Sequence, residues 1–244
     1  MVSLLLSVMA LGARHNSHST FSQNQVQAIQ TIVHDYLVRN PQVLIEASQA
    51  LQVQQMKRME AQVVAVVKKN PVKIFNAPSS PIEGKKDSNL VIVEIFDYQC
   101  PHCRDMKDIM TRLLEKNSTL KIIYKMLPIF GGASTYAAKA GLAAYRQGKF
   151  TQVNHALLTA QLPLSQNSIL AVMRQARMNI PQFNAMLNSG VFKFELKQNN
   201  ELAQEMHLIG TPAFIIANLS TNQYKFIGGA ASEAQLQAVL NSLR

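Results

Sequence analysis

The chain contains no tryptophan, only two cysteines, and few acidic residues, with 14 Asp and Glu against 24 Lys and Arg in 244 residues. The scarcity of cysteine argues against a structural zinc site, which needs four ligands. No second C-x-x-C exists, and His102, His155 and His207 are not spaced to complete a set, so no metal is expected. The shortage of acid leaves a formal net charge of +10 and a pI near 9.7. The positive residues are nevertheless scattered, as Lys57-Arg58, Lys68-Lys69, Lys85-Lys86 and Lys121 to Lys125. No basic run is interleaved with aromatics and no nucleic-acid motif occurs, so a nucleic-acid partner is not expected. The charge reads as solubility with some attraction to anionic surfaces. Charged residues make up 16% and hydrophobic ones 48%, a balance that suits a folded protein and argues against disorder. No internal repeat or low-complexity segment is visible.

Val2 to Leu11 form an apolar run of signal-peptide length, far short of the ~18 residues of a membrane helix. Ala10, Gly12 and Ala13 follow, and cleavage after Ala10 or Ala13 fits them. No Lys or Arg precedes the run, which departs from the usual signal, and no cysteine follows it, which argues against a lipid anchor. Export would place both cysteines in an oxidising compartment.

Val26, Ile29, Ile32, Val33, Tyr36 and Leu37 recur at helical spacing. Arg39-Asn40-Pro41 interrupts them, and the pairing of an Asn cap with a first-turn Pro predicts a second helix from Pro41 to about Lys69. That helix would be on the order of 40 Å long. Its apolar stripe needs cover. Its length favours packing against a second copy over docking on its own domain. Ala77 to Asp87, rich in Pro, Ser, Gly and charge, reads as the boundary linker.

Leu90 to Phe96 is a continuous apolar run with the single charge Glu94, the pattern of a buried central strand. Met106, Ile109, Met110, Leu113 and Leu114 mark a helix, and Leu120 to Met126 a second strand, together a right-handed βαβ unit. Ser134 to His207 reads as helices broken at Gly148, Leu162-Pro163, Asn179-Ile180-Pro181 and Gly190. Two short strands, Ala213 to Ala217 and Tyr224 to Ile227, and a helix capped by Ser232 complete the chain.

Both cysteines lie in Cys100-Pro101-His102-Cys103, between the first strand and its helix. A loop that short contributes little as a structural staple, and the spacing points to thiol–disulfide exchange. At a helix start the free N–H groups, the dipole and a protonated His102 would favour the Cys100 thiolate, while Pro101 needs no N–H partner. Favouring the dithiol makes the pair oxidising. Cys103 is expected to be the more buried, resolving thiol. Glu94 lies six positions before Cys100, and alternation would put its carboxylate behind the pair as a proton relay. Gly210-Thr211-Pro212 opens a strand with a residue that cannot donate to a ladder, leaving the Thr211 backbone free for an extended peptide.

The strand with Glu94, the Cys100-Pro101-His102-Cys103 run, the helical insertion and Gly210-Thr211-Pro212 together resemble the DsbA-like thiol–disulfide oxidoreductases of the thioredoxin superfamily, over about Leu90 to Arg244. The resemblance implies an α/β thioredoxin fold interrupted by a helical domain at about 134–207, a cis bond at Pro212, and catalysis by Cys100 and Cys103. Two departures bear on its direction. Thr211 looks more like the disulfide isomerases than the monomeric oxidases, which tend to have Val there. The helical extension Phe21 to Lys69 is similar to the dimerising arm of an exported subgroup with oxidase and isomerase roles. The expected order is a signal peptide in 1–20, an arm in 21–75 and the thioredoxin-like domain in 76–244. The expected partners are cysteine-containing exported proteins, a membrane redox protein that oxidises or reduces the site, and a second copy joined through residues 21–69. No cofactor beyond the Cys100–Cys103 pair is expected. The expected location is the periplasm, with outer-membrane association left open. The alternative is a chaperone-like or surface-exposed binding protein with a structural disulfide.

Overall fold

The computed structural model describes residues 21–244, so the export segment read in 1–20 lies outside the described residues. The chain divides into two compact units, one ending at Gln55 and one comprising Met56–Arg244. The first holds α1 (Gln23–Arg39) and the start of α2 (Gln42–Lys69). Ser22 caps α1 in a reciprocal pairing with Gln25, and the helix stops at Asn40, whose N–H bonds the Tyr36 carbonyl. The α1 helix buries no residue, and its Ile32 is 67% exposed.

In the second unit the stripe of α2 is covered. Val63 and Val67 are fully buried against Ile74 and Phe75 of α3 (Pro71–Phe75). There follow β1 (Ile82–Gly84), β2 (Leu90–Phe96), α4 (Pro101–Lys116), β3 (Leu120–Met126), α5 (Gly132–Arg146), α6 (Phe150–Thr159), α7 (Gln166–Gln175), α8 (Ile180–Asn188), α9 (Val191–Glu205), β4 (Ala213–Asn218), β5 (Gln223–Gly228) and α10 (Glu233–Ser242). The strands form one sheet in the order β1-β3-β2-β4-β5. Among the described residues only β2 and β3 run parallel, Leu90 beside Leu120 through Phe96 beside Met126, and the other pairs are antiparallel.

Both faces of β2 are covered, which is why it reads as an unbroken apolar run. Leu90, Ile92 and Phe96 face α4, α10 and the inserted helices, while Val91, Val93 and Ile95 face the end of α2, α3 and α9. The insertion between β3 and β4 packs closely through small residues of α5, with Ala137, Ala140, Ala143 and Ala144 buried.

Sequence reading leaves β1 inside the loop of 77–87. A strand of three residues at a sheet edge has no room to display a period, and its pairing with β3 reaches across the chain. Gly84 closes it with φ of +82°, and a Cβ there would lie 2.3 Å from the Leu120 carbonyl oxygen. The preceding loop is held by the buried Lys125, whose Nζ donates to the Lys73 carbonyl at 2.6 Å and to Ser80 Oγ at 2.7 Å. With no carboxylate in that bonding set, burial pushes the Lys125 ammonium down to about 8. Among the described residues no helix is long and apolar enough to cross a membrane.

Candidate active site

At the C-terminal end of β2, Asp97-Tyr98-Gln99 turn the chain into α4 and make Cys100 its N-cap, in an extended conformation (φ −71°, ψ 117°). Pro101 takes the first helical position, where a missing N–H costs nothing. Among the described residues no side chain caps α4, so its first-turn N–H groups are left to whatever occupies the Cys100 position. Both cysteines are free thiols and both are buried, Cys103 completely. The Cys100 sulfur donates to the Thr211 carbonyl at 3.2 Å. Thr211-Pro212 is a cis peptide, so the strand-opening Pro sits in a special turn rather than at a sheet edge, since β4 lies between β2 and β5.

One turn into α4, burial drives the Cys103 thiol strongly upward, and the nearby charges of Glu94 and Cys100 add to this. The nearby Asp97 backbone and Thr211 side chain oppose it. Among the described residues the Thr211 hydroxyl oxygen is buried without a hydrogen-bond partner. Glu94 is buried on the face of β2 that packs against α4, as strand alternation predicts. Burial first, and the charge of Glu83 second, push its carboxyl up to about 8. His102 is exposed, and the hydrogen bond found at the Cys100 sulfur among the described residues goes to Thr211 rather than to the imidazole. The structure therefore brings Cys100, Cys103, Glu94, Thr211 and Pro212 together and leaves His102 at the rim.

Three supporting residues escape sequence reasoning. The buried Asp97 carboxylate accepts from Gln99 N, Ile129 N, Phe130 N and Ser134 Oγ at 2.7–3.1 Å, and so fastens the β3–α5 loop beside the cysteines. The Asp-x-Gln turn is a local signal that an Asp might bond the backbone two residues on, but the loop partners lie more than thirty residues away. Gln99 continues the link, donating to Ser134 Oγ and accepting from Leu164 N. Arg104 donates to the carbonyls of Tyr98 (3.2 Å), Leu157 (3.0 Å) and Ala160, which ties α4 to the end of α6. Replacing Arg104 with Met keeps the stem but strands these carbonyls. Hydrogen bonds to charged groups contribute about 1.5–3 kcal/mol each, so a loss of roughly 2–4 kcal/mol is expected in urea unfolding. Arg104→Lys recovers part of it, because one ammonium cannot reproduce the fork.

The cis turn also walls an apolar groove of about 660 Å³, lined by Met59, Ile209, Phe226, Ile227 and Val239 among others. Ile209, 93% exposed, stands at its rim. Phe130 and Leu162 line a further cleft with Gln99 and Pro163. Large exposed apolar side chains such as Ile209 and Phe130 suit contact with an extended polypeptide.

Comparison with known proteins found matches to both parts of the chain. The model of the DSBA-like thioredoxin domain matches residues 91–241, and that of the copper resistance protein ScsC N-terminal domain matches 25–58. A Na(+)/H(+) antiporter NhaA 3 of Salinispora tropica is 23% identical over 137 residues, which are 55% of this chain and 21% of the antiporter. The chain thus spans about a fifth of that relative's length. A probable disulfide bond formation protein D of Bacillus cereus is 24% identical over 58% of this chain and 72% of its own. The crystal structure of Proteus mirabilis ScsC in a transitional conformation superposes with a TM-score of 0.66 and 26% identity, covering 91% of this chain and 96% of ScsC. The matched model takes in the whole site from Glu94 to Pro212, and the chain belongs to the DSBA-like thioredoxin domain family.

Proposed function

We propose that the chain is an exported thiol–disulfide oxidoreductase that introduces and isomerises disulfides in cysteine-containing secreted proteins. One observation carries the reading: the Cys100 sulfur, at an uncapped helix start, lies 3.2 Å from the main chain of the cis Thr211-Pro212 turn. A substrate strand pairing with that turn is held with its cysteine against Cys100. Cys100 forms the mixed disulfide, Cys103 resolves it, and Glu94 takes and returns the Cys103 proton. The groove beside the turn receives the apolar residues that flank the substrate cysteine. A membrane redox protein resets the pair. The expected result is that the wild-type chain both oxidises reduced RNase and reactivates scrambled RNase. A chain that does neither contradicts the proposal.

The isomerase half rests on Thr211 and on residues 21–55. In that unit Ile32, Val38 and Ile45 are each more than half exposed, apolar area that a second copy would cover. We place self-association there, as a homodimer. Since Val63 and Val67 belong to the core of the second unit, the informative deletion removes 21–55 and spares the rest of α2. It should convert dimer to monomer in sedimentation and lower scrambled-RNase reactivation several-fold, with RNase oxidation retained. An unchanged sedimenting mass would contradict the assignment.

A further inference from the structure

The cysteine-bearing face of the sheet holds a second buried carboxylate that the exchange steps leave unused. Glu83 of β1 lies two strands from Glu94 of β2, with β3 between them. In register, Glu83 stands beside Ile122 and Glu94 beside Tyr124, and both of those β3 residues belong to the core on the cysteine face. Tyr124 spans the gap, its hydroxyl donating to Glu83 Oε2 at 2.8 Å. Among the described residues Glu83 Oε1 is buried without a partner, as is the Tyr98 hydroxyl on the same face. An unpartnered buried carboxylate oxygen is costly. Glu83 also lines an open cleft of about 510 Å³, walled by Thr111, Glu115 and His155 among others.

We propose that Glu83 is a positioning residue for the proton step at Cys103, acting on Glu94 across the sheet as its buried charge partner and joining that step to the cleft under β1. The inference deepens the exchange reading and rests on it. Two carboxylates in one poorly solvated interior resist carrying charge together, and after burial it is the Glu83 charge that holds the Glu94 carboxyl up. When Cys103 resolves a mixed disulfide, its S–H proton passes to ionised Glu94 and its sulfur bonds to Cys100. The substrate sulfur leaves with the electron pair and takes a proton from water, and Glu94 then releases its proton. The negative charge of Glu83 raises the pH at which Glu94 is free to accept. Among the described residues the other titratable groups on this face are Tyr98, Tyr124, Cys100 and Cys103, with Tyr136 and Tyr145 packed at its margin, and Glu115 of α4 and His155 of α6 at the cleft. Lys121 and Lys125 of β3 lie on the opposite face by alternation.

The test uses the full chain and two readouts: the infrared carboxyl band of Glu94, identified by its loss in Glu94→Gln, and the pH profile of single-turnover resolution of a glutathione mixed disulfide at Cys100. Glu83→Gln keeps the shape and removes the charge. It should move both midpoints to lower pH by at least about half a unit. Tyr124→Phe withdraws the hydroxyl that holds Glu83 Oε2 across the sheet, should shift both the same way by less, and decides the matter if Glu83→Gln does not fold. Unmoved midpoints in the folded variants, with the profile still abolished by Glu94→Gln, overturn the role of Glu83 and leave the exchange reading standing. A wild-type chain that cannot resolve the mixed disulfide overturns the exchange reading, and this inference with it.

Discussion

Replacing Glu94 with Gln is expected to stabilise the protein at pH 8 and to remove most of the fall in its stability between pH 4.5 and 8. The carboxyl titrates at about 8 in the folded chain against an ordinary 4.5. Between those values the folded state binds more protons than the unfolded state, so stability declines as pH rises. The contribution is fully present below 4.5, is lost progressively up to about 8, and changes no further above it. Its full span is on the order of 4–5 kcal/mol. Gln retains the shape without the ionisation, so a gain of roughly 3 kcal/mol at pH 8 and almost none at pH 4.5 is expected. Lys125 acts in the adjoining window: its folded value of about 8 lies below the ordinary 10.5, so it makes stability rise from pH 8 to 10.5. Urea unfolding of the reduced wild type and of Glu94→Gln, from pH 4.5 to 8.5, separates these effects. Parallel stability curves would contradict the assignment. The same variant should slow resolution by Cys103, which burial leaves dependent on a nearby base.

The second large effect is at Cys100. A serine hydroxyl cannot exchange with a disulfide, so Cys100→Ser should lose at least about three orders of magnitude in insulin reduction and in RNase refolding. Folding should survive, because the sulfur has only one protein hydrogen bond to lose among the described residues, to the Thr211 carbonyl. Cys103→Ala should behave differently. It keeps the attacking sulfur and loses the resolving one, so it should accumulate mixed disulfides where Cys100→Ser accumulates none. Comparable activity in the two single variants would contradict the division of labour between an N-cap cysteine and one buried a turn deeper.

These expectations draw on features of unequal visibility in the sequence. β2, α4 and β3 were legible because their apolar patterns are long and both faces of β2 are covered, which leaves Glu94 as the one conspicuous charge. The cis bond at Pro212 followed from the resemblance and is present. The supporting shell was not legible. Asp97 meets Ile129, Phe130 and Ser134, Arg104 meets Leu157 and Ala160, and Tyr124 meets Glu83, all across 30 to 60 residues of chain. A strand as short as β1 carries no period, so Glu83 looked like a loop charge until β3 paired with it. The division of α2 at Gln55 likewise leaves no mark, because the helix and its apolar spacing run through it unbroken.

The reactive pairing of Cys100 with Cys103 is tested most directly by trapping. The reduced Cys103→Ala chain is incubated with a peptide disulfide and analysed intact by mass spectrometry under non-reducing conditions. One peptide should be bound per chain, mapped to Cys100 and released by dithiothreitol. The wild-type chain should show the adduct only transiently and end as the internal disulfide. No adduct on Cys103→Ala, or an adduct that persists unresolved on the wild type, would contradict exchange at this site.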